Sequence, residues 1–63
     1  MMRGDKIREI QQALEAAGFD PGQLAGIFGP RTHAAVSAFQ LSRGLLPHGE
    51  VGPKTAAALG VPL

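Results

Sequence analysis

The side chains that could carry chemistry are few and scattered. The chain holds two histidines, His33 and His48, five Asp and Glu residues and no cysteine. His48-Gly49-Glu50 echoes the His-x-Glu of zinc deaminases, but the thiolates that complete such a site are missing along with cysteine. A zinc site needs roughly three or more converging protein donors. Two histidines on different elements and a few dispersed carboxylates do not supply them, so no metal and no cofactor is expected. His33 and Ser37 lie one helical turn apart, the spacing of a base and a nucleophile. No carboxylate is placed to orient the imidazole, and an open helix face offers no oxyanion hole. Asp20 and Glu50 fall in separate loops and are not paired as the acid and base of a glycosidase. These residues predict a chain that is not an enzyme.

The elements that must position these groups are punctuated by nine Gly and five Pro, unevenly spread. Neither occurs between Asp5 and Ala17. There Ile7, Ile10, Leu14 and Ala17 form one stripe of a helix that Asp5 can cap and Gly18 can end. From Phe19 to Pro30 the sequence FDPGQLAGIFGP reads as a loop of tight turns. Pro30 suits the first turn of a second helix, which runs from Arg31 to Arg43 and closes at Gly44. Ala35, Val36 and Phe39, with Thr32 at the edge, form one apolar arc of this helix; Ala34, Ala38 and Leu41 form another. That pattern predicts a central helix packed on both sides. His33, Ser37 and Gln40 form its polar stripe. A second turn-rich segment, LLPHGEVGP, leads into a short helix from Pro53 to Leu59, ended by Gly60, after which Val61 is expected to pack back. Phe28 and Phe39 are the expected aromatic core. The fold class expected is all-α: one small three-helix domain over residues 1–63, with two Gly-rich loops and no sheet.

Composition narrows the function further. Hydrophobic residues make up 44% and charged residues 17%, a globular balance, and six Lys and Arg against five Asp and Glu give a net charge of +1. With no basic stripe to neutralise phosphates, nucleic acid is not an expected partner. The stretch from Phe19 to Pro30 is also far longer than the roughly three- to four-residue turn of a helix-turn-helix reader. No apolar run reaches the length of a membrane span. The opening MMRGDK is followed by amphipathic sequence and not by the apolar segment of a signal peptide, so none is expected in this chain. A chain of this length has material for one core and none for a deep walled pocket.

An internal repeat carries the strongest signal. AGIFGPRTHAAV (Ala25 to Val36) aligns without a gap over HGEVGPKTAAAL (His48 to Leu59), a shift of 23 positions. Gly26/Gly49, Gly29/Gly52, Pro30/Pro53, Thr32/Thr55, Ala34/Ala57 and Ala35/Ala58 are identical. Phe28/Val51, Arg31/Lys54 and Val36/Leu59 keep their character. The unit reads as a turn into a helix: a Gly turns the backbone, Phe28 or Val51 plugs the core, and Pro starts the helix. The first-turn Thr hydroxyl can satisfy a free backbone group. Each unit presents a helix start beside a cation, Arg31 or Lys54.

This order resembles the peptidoglycan-binding domain that accompanies bacterial and phage cell-wall hydrolases. The resemblance rests on Ile10-Gln11, Leu14, Gly18-Phe19, Gly26, Phe28-Gly29, Thr32, Ala35-Val36, Phe39-Gln40, Gly44-Leu45, Gly49, Val51-Gly52, Thr55 and Leu59, and covers Ile7 to Leu59. The chain departs from the family at Ala25 and His48, where Asp usually precedes Gly. An Asp there can bond its own turn, so both turns are expected to be looser.

The resemblance implies non-catalytic binding of peptidoglycan, through glycan strand or stem peptide, by a module that targets an attached or partner hydrolase. It also implies a place in the cell wall, periplasm or extracellular space. Stem-peptide carboxylates match a helix start flanked by a cation, which names Arg31 and Lys54, with Arg43 at the end of the second helix as a further ligand-binding candidate. Gln40 has two readings: a donor to a glycan amide, or a clamp on the loop before the second helix. With no Trp or Tyr, sugar stacking would fall to Phe alone, and weak binding by hydrogen bonds and carboxylate capture is expected. A different class, a protein-interaction or structural module of a phage or secretion assembly, would show an exposed apolar patch involving Leu24, Ile27 and Leu46.

Overall fold

A computed structural model describes residues 2–3, 5–22 and 26–62, the first two through their backbone only. Leu24 and Ala25 lie outside the described residues. In chain order the elements are β1 (Met2–Arg3), α1 (Asp5–Ala16), β2 (Ile27–Phe28), α2 (Pro30–Ser42) and α3 (Pro53–Leu59). The three helices match the sequence reading to within a residue at each end. Asp5 sits in the first turn of α1, where its charge suits the partial positive charge of a helix start.

All three helices close by the same device. The backbone turns left-handed at Gly18, Gly44 and Gly60, with φ of 91, 72 and 79°. In each case the glycine N–H and that of the next residue reach back to carbonyls of the last turn. Gly18 donates to Glu15 and Phe19 to Leu14; Gly44 donates to Leu41 and Leu45 to Gln40; Gly60 donates to Ala57 and Val61 to Ala56. This double bond pattern satisfies carbonyls the helix itself leaves unpaired. The residue after the glycine is apolar every time. Phe19 and Val61 join the core. Lys6 Nζ donates to the Pro62 carbonyl and ties the tail after Val61 to α1.

Ile7, Ile10 and Leu14 of α1, Ala35, Val36 and Phe39 of α2, and Val61 form the core, with Phe19, Phe28, Val51 and Leu59 packed against it. The rings of Phe19 and Phe39 meet edge to face at 5.7 Å, a favoured arrangement of aromatic quadrupoles. Phe28 and its repeat partner Val51 are both half-buried, so each plugs the rim of the core and not its centre.

Two expectations are corrected. The α2 helix is buried on one side only: Thr32, Ala35, Val36, Phe39 and Gln40 face inward, while Ala34, Ala38 and Leu41 are exposed. The inward arc packs on α1, and at Ala34 and Ala38 exposure costs little because a methyl group is small. The fold also has a minimal sheet. Met2 pairs with Phe28 and Arg3 with Ile27 in an antiparallel ladder, which fixes the segment before α1 against the loop that enters α2.

Candidate functional site

The two repeat units are built around one buried glutamine each. Gln11 of α1 donates through Nε2 to the Ile27 carbonyl at 2.9 Å and to Thr32 Oγ1 at 3.0 Å, and its Oε1 accepts the Gly26 N–H at 3.0 Å. Gln40 of α2 does the same for the second unit. Its Nε2 donates to the Glu50 carbonyl at 2.7 Å and to Thr55 Oγ1 at 3.1 Å, and its Oε1 accepts the Gly49 N–H at 2.9 Å. A carboxamide is the one side chain that offers two donors and an acceptor in a plane without charge. Each glutamine is wholly buried. Among the described residues, no buried side-chain nitrogen or oxygen lacks a partner.

The threonines complete the scheme. Thr32 donates its hydroxyl to the Pro21 carbonyl at 3.0 Å while accepting from Gln11. Gln40 thus clamps the turn before α3, not the loop before α2; that loop is held by Gln11. Both of Gln40's amide hydrogens are committed inside the fold. The alignment that exposed the repeat could not show these clamps, because Gln11 and Gln40 lie outside the aligned block.

The departure at His48 does not loosen the second turn, while the one at Ala25, in the first, lies outside the described residues. His48 Nδ1 accepts the Glu50 N–H at 3.1 Å, the bond that a family Asp would make to its own turn. The turn at Gly49 is left-handed, with φ of 81°, and the His33 imidazole occupies the space that a Cβ there would need. Gly49→Ala should therefore cost about 1–2 kcal/mol from the backbone alone, plus a steric part that His33→Ala relieves. Urea denaturation of the two single variants and the double variant separates the parts.

The four residues singled out from sequence are not gathered at one point. Arg31 Nη2 bonds Asp20 Oδ2 at 2.8 Å on the exposed surface of the first unit, and Asp20 Oδ1 also accepts the Gly22 N–H at 2.9 Å. The Arg43 guanidinium lies over the Phe39 ring, 5.2 Å from its centroid. Lys54 is exposed and makes no ion pair among the described residues. It borders an open groove of about 570 Å³ between the chain leaving α2 at Gly44–Leu46 and the start of α3 at Gly52–Thr55, with His48 on its rim.

Gln40 stands behind this groove and joins its two walls. Its backbone carbonyl receives the Leu45 N–H, and its side chain holds Thr55. Leu45, unlike its counterparts Phe19 and Val61, lines the groove. Leu46 is 78% exposed beside it, and Ile27 is 41% exposed on the first unit. The groove is lined by one lysine and one histidine and by no carboxylate. Its chemistry is that of a shallow cationic cleft with apolar walls. Among the described residues, no three His, Asp or Glu side chains gather as they would to hold a metal ion, and no helix is long and apolar enough to cross a membrane.

Comparison with known proteins places this geometry. The model of the family described as "Putative peptidoglycan binding domain" matches residues 3–59. N-acetylmuramoyl-L-alanine amidase CwlL of Bacillus licheniformis is 42% identical over 94% of this chain and 18% of its own length. N-acetylmuramoyl-L-alanine amidase CwlM of Mycobacterium tuberculosis is 38% identical over 89% of this chain and 14% of its own. N-acetylmuramoyl-L-alanine amidase CwlA of Bacillus subtilis is 45% identical over 71% of this chain and 19% of its own. The chain thus spans less than a fifth of the length of these three relatives. No solved structure matches. The match runs from β1 to the end of α3 and takes in both glutamine clamps and the groove in front of Gln40, so the chain belongs to the peptidoglycan binding domain family.

Proposed function

We propose that residues 1–63 work as one non-catalytic unit that holds peptidoglycan and so keeps an attached or partner cell-wall hydrolase on its substrate, in the cell wall, periplasm or extracellular space. The observation that carries this reading is the family match over a fold with a groove lined by a lysine and a histidine and by no carboxylate. Contact falls to Lys54, exposed on the groove, and to Arg43, exposed at the end of α2. Arg31 already holds the Asp20 carboxylate, and Gln40 acts as a positioning residue behind the groove. The chain's part is binding alone, since its histidines and carboxylates are separately engaged or dispersed. A shallow exposed groove gives modest affinity. That suffices for a tethered module, because a polymer presents many copies of the ligand and the linker supplies effective concentration.

The test is co-sedimentation with purified insoluble peptidoglycan. The folded chain should pellet in proportion to added wall, and less so as salt screens the cations. A chain that stays in the supernatant at high protein concentration and low salt rules this function out and favours a protein-interaction module.

A further inference from the structure

The two units differ in what meets their matched cations. Arg31 and Lys54 occupy the same place in the repeat, each directly after the proline that starts its helix. In the first unit the loop leaving α1 supplies Asp20, whose carboxylate sits on Arg31 at 2.8 Å. In the second unit the loop leaving α2 supplies Leu45, Leu46 and His48 instead, and Glu50 makes no ion pair with Lys54. The groove beside Lys54 is thus a place where the fold holds a cation without the carboxylate that its own repeat provides.

We infer that this groove takes a short peptide with a free carboxylate, the peptidoglycan stem peptide, and that its carboxylate meets Lys54 as Asp20 meets Arg31. The inference rests on the peptidoglycan-binding reading and names which part of the polymer is held. Charge complementarity favours it, because the lining carries cationic character and no acid. The walls at Leu45, Leu46 and Pro53 are apolar and open, suited to the small methyl side chains of alanine-rich peptides. A glycan strand fits less well. Sugar recognition commonly stacks rings on exposed aromatic faces, and here Phe39 is buried beneath Arg43 and Phe19, while Phe19 and Phe28 are themselves packed against the core.

The experiment compares three probes: intact sacculi, glycan strands stripped of stem peptides by an amidase, and soluble stem tetrapeptide as competitor. The chain should pellet with intact sacculi, fail to bind stripped strands, and be displaced by the tetrapeptide. Lys54→Gln should weaken sacculus binding about tenfold, as expected for one lost charge-assisted contact at an exposed site. Arg31→Gln should change it less than about twofold, the effect of losing an exposed ion pair elsewhere on the surface. Circular dichroism confirms that both variants fold, since both side chains are exposed. Equal binding to stripped strands overturns the stem-peptide assignment and leaves peptidoglycan binding standing. Loss of binding in Arg31→Gln with none in Lys54→Gln overturns the site. Absence of binding to intact sacculi overturns the underlying function.

Discussion

Gln40→Ala should remove most of the stability of this fold. The substitution leaves three groups without their partner: the Gly49 N–H, the Glu50 carbonyl and Thr55 Oγ1. An unsatisfied buried polar group costs about 1–3 kcal/mol, and water entering the vacated space recovers part of that. A net loss of about 3–5 kcal/mol is expected. Chains of this size have on the order of 3–9 kcal/mol in total, so the variant should be marginally folded at best. Gln11→Ala should cost a similar amount, because it frees the matching groups at Gly26, Ile27 and Thr32. Gln40→Glu should be no better. Its carboxylate keeps the bond from Gly49 but turns an oxygen on the Glu50 carbonyl and brings a charge into a dry site. Urea denaturation measures the loss, and amide exchange at Gly49 reports the turn directly. A Gln40→Ala variant that unfolds near the parent midpoint contradicts the clamp.

The second large effect is at Phe39. Its ring is 1% exposed, belongs to the core cluster with Ile7, Ile10 and Leu14 of α1, meets Phe19 edge-on and lies under Arg43. Phe39→Ala removes that burial and leaves a cavity that a chain this short has little spare material to fill, for an expected cost of about 3–5 kcal/mol. Phe28→Ala should cost less, about 1–3 kcal/mol, because Phe28 is only half-buried at the core's rim. Thermal unfolding of the two variants should rank them in that order. Equal losses would place Phe28 deeper than the fold shows.

The outline of this fold is legible because glycine and proline do their local work visibly. Gly18, Gly44 and Gly60 adopt the left-handed backbone that ends each helix, and Pro30 and Pro53 open the next ones. The repeat points to two equivalent turns and to the cation that each one carries. What holds those turns is less visible. Gln40 has the spacing of a surface stripe with His33 and Ser37, and nothing in a hydrophobic pattern distinguishes a solvated glutamine from a buried one whose three bonds all go to the main chain and a threonine hydroxyl. Ala34 and Ala38 mislead in the opposite sense, since alanine is apolar by type yet indifferent to exposure. The ladder between Met2–Arg3 and Ile27–Phe28 is two residues long, too short for any alternation to register. His48 shows that a turn can keep its side-chain acceptor after losing its Asp, a substitution evident only once Nδ1 is seen against the Glu50 N–H.

The candidate site is legible in part for the same reason. Sequence places Arg31 and Lys54 at matched positions but does not show that Asp20 reaches one of them across the loop while the other borders an open groove. That asymmetry arises from the loops after α1 and α2, which lie largely outside the aligned block and differ in composition. The repeat supplies the scaffold twice; the loops decide which copy faces a ligand.

The most direct test is a two-dimensional amide NMR titration of the folded chain with a soluble disaccharide-tetrapeptide fragment of peptidoglycan. Saturable shifts should appear at Leu45, Leu46, His48, Lys54 and Thr55, the residues around the groove, while the amides around Asp20 and Arg31 stay in place. Absence of any shift at millimolar fragment, or shifts centred on Arg31 with the groove unmoved, would contradict the account.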